Sequence, residues 1–245
     1  MAFHFSAVLA SVDLVSSTSD QRPPEPVDDG GQQDTLGRLG DHGVLPVVEV
    51  DTVEAAKRLL DALTAGGLPT AEITLRTAAG VEAIGALRTS HPDALIGAGT
   101  VRSVGDAQRV IDAGAQFVVS AVTDPDVIAL CHTAGVLVVP GACTPNELAA
   151  AGRAGASVVK FFPAEAMGGT GFLEALAGPF PDVRFLPSGG VSPSNVAAYL
   201  RLPQVVACGA SWMVRRELTA AQRFDRIEEL AREAVALVAE VRAGG

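Results

Sequence analysis

A single lysine interrupts the run Ala156-Ser-Val-Val-Lys160-Phe-Phe-Pro163-Ala-Glu165, whose other members are mostly β-branched, aromatic or small. Such a run reads as a buried strand that stops at Pro163. A strand covered on both faces offers an ammonium no water. Lys160 is therefore costly there unless its neutral amine, or a covalent adduct of it, is what the protein uses. A free amine in an apolar site attacks carbonyl carbon and forms a Schiff base. The plainer alternative is a strand-end lysine that reaches solvent or pairs with a carboxylate. A second set of reactive side chains lies in Glu72-Ile-Thr74-Leu-Arg76. The period of two puts Glu72, Thr74 and Arg76 on one face and Ala71, Ile73 and Leu75 on the other. If the apolar set faces a layer of helices, the polar set faces inward, where a carboxylate can move protons and a guanidinium can clamp a carboxylate. A purely structural Glu-Arg pair is the competing reading.

These residues need a scaffold that brings them together, and the rest of the chain supplies one. From Val44 onward, short apolar strands alternate with Ala-rich amphipathic stretches: VLPVVEV then TVEAAKRLLDALTAGG, TAEITL then AAGVEAIGALRTS, ALIGAGTV then SVGDAQRVIDAG, FVVS then DPDVIALCHTAG. VLVVPG, the Lys160 strand, VRFLPSGG and QVVACGAS continue the series, and the final helix is expected from about Thr219 to Ala243. Eight βα units of this kind point to a single (β/α)8 TIM barrel spanning residues 34–245. A doubly wound open sheet would normally carry a G-x-G-x-x-G turn after its first strand, and none follows Val50. Barrel sites sit at the C-terminal ends of the strands. The third strand ends in Gly97-Ala-Gly99-Thr100, where the glycines are expected to let backbone approach a ligand and Thr100 to offer a hydroxyl. Strand seven is followed by Pro187-Ser188-Gly189-Gly190-Val191-Ser192-Pro193, with Ser192 expected as a helix N-cap and Pro193 as the first helical residue. Strand eight ends in Gly209-Ala210-Ser211. Glycine-rich turns in these two places, opening onto helix N-termini, suit a phosphate.

Composition excludes other classes. The net charge is -10 and no Lys/Arg cluster forms a basic face, so nucleic acid is not an expected partner. Cys131, Cys143 and Cys208 are odd in number and widely spaced, which fits a reducing cytoplasm and argues against a disulfide framework. His4, His42, His91 and His132 show no ligand spacing, and no metal or other cofactor is expected. Met1–Ser17 is mildly apolar but lacks a leading cation and is too short to span a bilayer, so neither signal peptide nor membrane helix is expected. Residues 18–34 are rich in Pro, Gly, Asp and Gln, and residues 1–33 read as a disordered N-terminal extension.

Taken together, E-I-T-L-R-T (72–77), G-A-G-T-V (97–101), P-G-x-x-T-P-x-E (140–147), K-F-F-P-A-E (160–165), P-S-G-G-V (187–191) and G-x-S-W (209–212) resemble the 2-keto-3-deoxy-6-phosphogluconate (KDPG) and 4-hydroxy-2-oxoglutarate (KHG) aldolase family. The resemblance runs from about Val44 to Val214 and on through the final helix. It implies a class I aldolase that uses no metal, acts on a phosphorylated 2-oxo acid and assembles as a homotrimer. Under it, Lys160 is similar to the Schiff-base lysine and Glu72 to the acid/base. Arg76 and Thr100 match the residues that hold the pyruvate carboxylate, and Ser188, Gly189, Gly190, Gly209 and Ser211 match the phosphate site.

Three positions depart from the family pattern. Ala121 stands where many relatives have a proline, Ala210 where a glycine is commoner, and Glu49 where some carry an arginine. An acidic Glu49 repels an anionic substrate unless it pairs with Arg76 or faces elsewhere. Three functions follow: cleavage of KDPG; the same chemistry on 4-hydroxy-2-oxoglutarate or the 6-phosphogalactonate analogue; or a non-catalytic phosphate-ligand binder on the same barrel.

Overall fold

The computed structural model describes residues 30–244. Among them are eight strands: β1 (Val44–Val48), β2 (Thr70–Thr74), β3 (Leu95–Val101), β4 (Phe117–Ser120), β5 (Leu137–Val139), β6 (Val158–Phe161), β7 (Arg184–Pro187) and β8 (Cys208–Ala210). All pairings are parallel. A six-strand ribbon runs β5-β4-β3-β2-β1-β8, and β6 pairs with β7. The ring closes through bridges from Gly141 to Lys160 and from Ser188 to Gly209, so the strands follow one another in chain order around a barrel. The helices are α1 (Gly30–His42), α2 (Val53–Ala65), α3 (Gly80–Ser90), α4 (Val104–Asp112), α5 (Pro125–Thr133), α6 (Pro145–Arg153), α7 (Gly169–Ala177), α8 (Val196–Leu200), α9 (Arg216–Ala220) and α10 (Phe224–Ala243).

The strands are short and apolar because both of their faces are covered. One face of each packs on the helices: Val44, Val48, Ala71, Ile73, Ile96, Val118 and Val159 join a layer with Leu59, Leu63, Ile84, Val110, Ile128 and Leu173. The other face fills the barrel. Leu45, Leu95, Phe117, Leu137, Val158 and Leu186 form a separate inner cluster at its base. Two residues further along the same inward faces stand Val47, Glu72, Gly97 and Lys160, and beyond them Glu49, Thr74, Gly99 and Phe162. The interior therefore grades from apolar at the N-terminal end to polar at the C-terminal end. That gradient positions the chemistry.

Helix starts are encoded at the strand exits. Thr52, Ser103 and Asp124 accept backbone N–H bonds at the N-termini of α2, α4 and α5. Thr144 and Glu147 form a reciprocal capping box on α6, with Pro145 in its first turn. The N–H of Cys143, foremost among its partners, holds the Glu147 carboxyl below its ordinary range.

The N-terminal boundary differs from the composition-based reading. Gly30–Gln33, assigned from sequence to the extension, form the first turn of α1, and Gln32 is buried. The reason lies in the next turn. Leu36 and Leu39 insert into the inner cluster and plug the base of the barrel, which makes the preceding turn part of the same packed helix. Residues 1–29, the rest of that extension, lie outside the described residues. The final helix also differs: α9 and α10 are separate, with Gln222 in a left-handed conformation between them (φ 52). No helix of the described residues is long and apolar enough to cross a membrane, and no His/Cys/Asp/Glu group among them could hold a metal ion.

Candidate active site

β6 carries Lys160 on its inward face, and its backbone is fixed on both sides. Its N–H donates to the Pro140 carbonyl at 2.7 Å and its carbonyl accepts from Ala142 at 3.0 Å, while the pairing with β7 sets Lys160 opposite Leu186. The side chain reaches across the barrel to β2. Lys160 Nζ donates to Glu72 Oε1 at 3.2 Å; Glu72 is 0% exposed and Lys160 7%. The other carboxylate oxygen, Oε2, is buried and has no hydrogen-bond partner among the described residues. A buried ion pair is weak evidence for stability, because desolvation of two charges offsets their attraction. An amine paired with a carboxylate that still has a free oxygen is better explained as chemical equipment. Of the alternatives posed by the sequence for Lys160, pairing with a carboxylate is what this contact displays.

Glycines in β3 make room for that carboxylate. A Cβ on Gly99 would lie 2.1 Å from Glu72 Oε1, and one on Gly97 would lie 2.3 Å from the Phe117 ring. These glycines thus serve the barrel interior and not, as the sequence suggested, the close approach of a ligand. Gly99→Ala is expected to push the Glu72 carboxylate off Lys160. Overpacking of this kind costs roughly 1–3 kcal/mol, and activity should fall further than stability; denaturant unfolding and steady-state kinetics on the same variant read the two effects.

Lys160 forms part of the floor of a cleft at the C-terminal end of the barrel. Its lining includes Arg76, Thr100, Ser188, Gly189, Gly190, Gly209 and Ser211, so every site residue expected from sequence except Glu72 lies on this one cleft, and Glu72 sits directly against Lys160. Thr100 is held at φ 60, a left-handed conformation that costs a β-branched residue roughly 1–3 kcal/mol. Such strain is typical of positions kept for function. Thr74, inward as expected, is occupied in structure: its hydroxyl donates to the Val48 carbonyl at 3.0 Å.

At the opposite end of the cleft, Gly189 and Gly190 turn at φ 93 and 86. A side chain on Gly190 would strike Glu165, whose Oε1 accepts a short bond from the Tyr199 hydroxyl at 2.5 Å. The helix expected at Pro193 does not start there. Ser192 Oγ is engaged with Ser194 Oγ at 2.9 Å and accepts no backbone N–H among the described residues; residues 193–195 form a turn, and α8 begins at Val196. Ser192 is therefore not an N-cap, and an anion here meets the Gly189–Gly190 turn together with Ser211, which stands at the start of a short 3-10 helix, Trp212–Val214.

Phe162 was missed in the sequence because an aromatic in an apolar strand looks like core. It is 38% exposed, and Lys160 Nζ lies 5.5 Å from its ring centroid. Val47 and Ala121 also line the cleft, so the alanine that departs from the family pattern sits on the wall beside Lys160. Glu49 does not repel its surroundings. Its Oε1 accepts from Arg216 at 2.8 Å and its Oε2 lies 3.9 Å from Arg76.

Comparison with known proteins agrees with this geometry. A family model described as KDPG and KHG aldolase matches residues 37–230. A 2-dehydro-3-deoxy-phosphogluconate aldolase of Treponema pallidum is 46% identical over 195 residues, 80% of this chain and 93% of that protein. The KDPG aldolase of Legionella pneumophila, solved with pyruvate captured at low pH as a covalent carbinolamine intermediate, superposes with a TM-score of 0.78 at 36% identity, covering 81% of this chain and 97% of that one. The 2-keto-3-deoxy-6-phosphogluconate aldolase of Zymomonas mobilis, solved with 3-phosphoglycerate, gives a TM-score of 0.76 at 34% identity over 83% of this chain and 95% of that one. With its motifs, its barrel and its buried lysine in agreement with these matches, the chain belongs to the KDPG and KHG aldolase family.

Proposed function

We propose that this protein cleaves 2-dehydro-3-deoxy-6-phosphogluconate to pyruvate and glyceraldehyde 3-phosphate through a Schiff base on Lys160. The observation that carries the proposal is the 3.2 Å contact between Lys160 Nζ and a fully buried Glu72 on the floor of the cleft. In the proposed cycle the Lys160 amine attacks the C2 ketone and Glu72 gives a proton to the carbinolamine hydroxyl, which leaves as water. A carboxylate within hydrogen-bond reach of the nitrogen is placed for that step. Glu72 then takes the C4 hydroxyl proton as the C3–C4 bond breaks. The bonding pair passes to C3 and the protonated imine, forming a neutral enamine while the aldehyde departs. Protonation at C3 and hydrolysis of the imine release pyruvate and restore both residues.

Arg76 and Thr100 are assigned to the carboxylate of the 2-oxo acid, and Ser188, Gly189, Gly190, Gly209 and Ser211 to the phosphate. The Legionella relative's bound pyruvate and the Zymomonas relative's bound 3-phosphoglycerate support the two halves of this assignment. Binding of the remote phosphate orients the bond to be broken. Cytoplasmic location, which the cysteine pattern fits, and a homotrimer, which the resemblance implies, belong to the same proposal.

A second reading, 4-hydroxy-2-oxoglutarate or the 6-phosphogalactonate analogue as substrate, is favoured by Glu49 and Ala121. Side-by-side kcat/KM values for the three compounds decide between them. The leading reading expects the phosphogluconate derivative to be best; a higher value for either competitor transfers the assignment. Failure to cleave any of them would leave the phosphate-ligand binder.

A further inference from the structure

Arg76 has a competitor problem. Parallel pairing of β1 with β2 sets Val47 beside Glu72 and Val48 beside Ile73. Continuing the register brings Glu49 alongside Thr74, one inward step below Arg76. The carboxylate nearest to Arg76 is therefore part of the protein, and its Oε2 lies 3.9 Å from the guanidinium. A carboxylate and a guanidinium at this spacing need only a small rotation to form a bidentate pair. That pair would use the same donors that a substrate carboxylate requires.

The pair has not formed, because Glu49 is occupied elsewhere. Arg216, the first residue of α9, donates from one terminal nitrogen to Glu49 Oε1 at 2.8 Å and from the other to Asp51 Oδ1 at 2.8 Å. Two carboxylates thus hold one guanidinium by its fork. Arg76 meanwhile donates no hydrogen bond within 3.5 Å to the described residues, although it lines the cleft and is 53% exposed. Charge points the same way. Glu49 and Asp51 carry two negative charges and Arg76 and Arg216 two positive ones, so removing Arg216 leaves the mouth of the cleft with one excess negative charge.

We propose that Arg216 is a positioning residue for substrate recognition: by engaging Glu49 and Asp51 it keeps the Arg76 guanidinium free for the carboxylate of the 2-oxo acid. The inference rests on the assignment of Arg76 as that carboxylate's partner. Arg216 itself touches neither the substrate nor Lys160. Its effect therefore falls on ligand concentration dependence, not on the bond-breaking step.

The test is the pyruvate concentration dependence of borohydride labelling, followed by intact-protein mass, for the parent, Arg216→Ala, Glu49→Gln, the double variant and Arg76→Ala. Arg216→Ala is expected to raise the half-saturating pyruvate concentration about fivefold, the scale of competition among partly exposed ion pairs, with most of the change in half-saturation and little in the labelling reached at saturation. Adding salt should shrink the difference. In the double variant the competitor has lost its charge, and half-saturation should return to within about twofold of the parent, a non-additivity that marks direct coupling. An Arg216→Ala protein that binds pyruvate like the parent overturns the proposal. So does a double variant as weak as Arg216→Ala, since that would mean Arg216 acts without Glu49. Arg76→Ala separates the underlying assignment: if it leaves half-saturation unchanged, the carboxylate clamp fails and this inference with it, whereas a weakened Arg76→Ala beside an unaffected Arg216→Ala removes only the role given to Arg216.

Discussion

Replacing Lys160 with alanine is expected to lower kcat/KM at least about 10⁴-fold, a loss of roughly 5.5 kcal/mol of transition-state stabilisation. The size follows from what the amine does in the account above. Without the imine, the electron pair released by C3–C4 cleavage has no acceptor, and among the described residues no other amine lines the cleft to replace it. The same substitution should also destabilise the fold. It strips Glu72 Oε1 of its buried partner in a residue whose Oε2 already has none among the described residues. Breaking a buried pair from one side costs roughly 3–5 kcal/mol. Activity and stability must therefore be separated. The double variant Lys160→Met/Glu72→Met exchanges the charged pair for two apolar side chains of similar volume, and it should unfold at nearly the parental denaturant concentration while remaining inactive. A stable but inactive double variant assigns the loss of turnover to missing chemistry. Recovery of activity with stability would overturn the role of Lys160.

Glu72→Gln carries the second large effect. The amide keeps the shape of the carboxylate and can still accept a bond from Lys160 Nζ, but it cannot shuttle a proton. General acid-base groups contribute about 10²–10⁴-fold, and a loss in that range is expected in kcat with little change in KM, because Glu72 is fully buried beneath the cleft. Pyruvate labelling of Lys160 should still reach completion, only more slowly, since the carbinolamine must then dehydrate without an internal acid. Glu72→Asp tests position separately from chemistry: it retains the acid but draws it back by one methylene, and it should fall between parent and Glu72→Gln. A Glu72→Gln enzyme within a few-fold of the parent in kcat would shift proton transfer to another group.

The contrast between what the sequence revealed and what it concealed is physical. Eight strands were readable because each is short, apolar on both faces and followed by an amphipathic stretch. Lys160 and Glu72 were conspicuous for the same reason: a charge in a buried strand stands out against its neighbours. Their partnership was not readable, since they are 88 residues apart and only closure of the barrel brings them to 3.2 Å. The Glu49–Arg216 pair, 167 residues apart, was invisible on the same grounds, and so Glu49 read as an unresolved liability. Gly97 and Gly99 announced a close approach without disclosing what approaches, and the answer proved to be Phe117 and Glu72. α1 gave only two strong signals, Leu36 and Leu39, in an otherwise polar stretch. Ser192-Pro193 carried a sound helix start, but the Ser192 hydroxyl is engaged with its neighbour Ser194 Oγ and not with a backbone N–H, and the regular helix begins three residues beyond Pro193.

The most direct test of the central claim is to incubate the protein with pyruvate, reduce with borohydride, and locate the label by peptide mass spectrometry. The account predicts one reduced pyruvate adduct per chain, on Lys160 alone, and none in Lys160→Ala. Folded protein that acquires no adduct, or acquires it on another lysine, would contradict it.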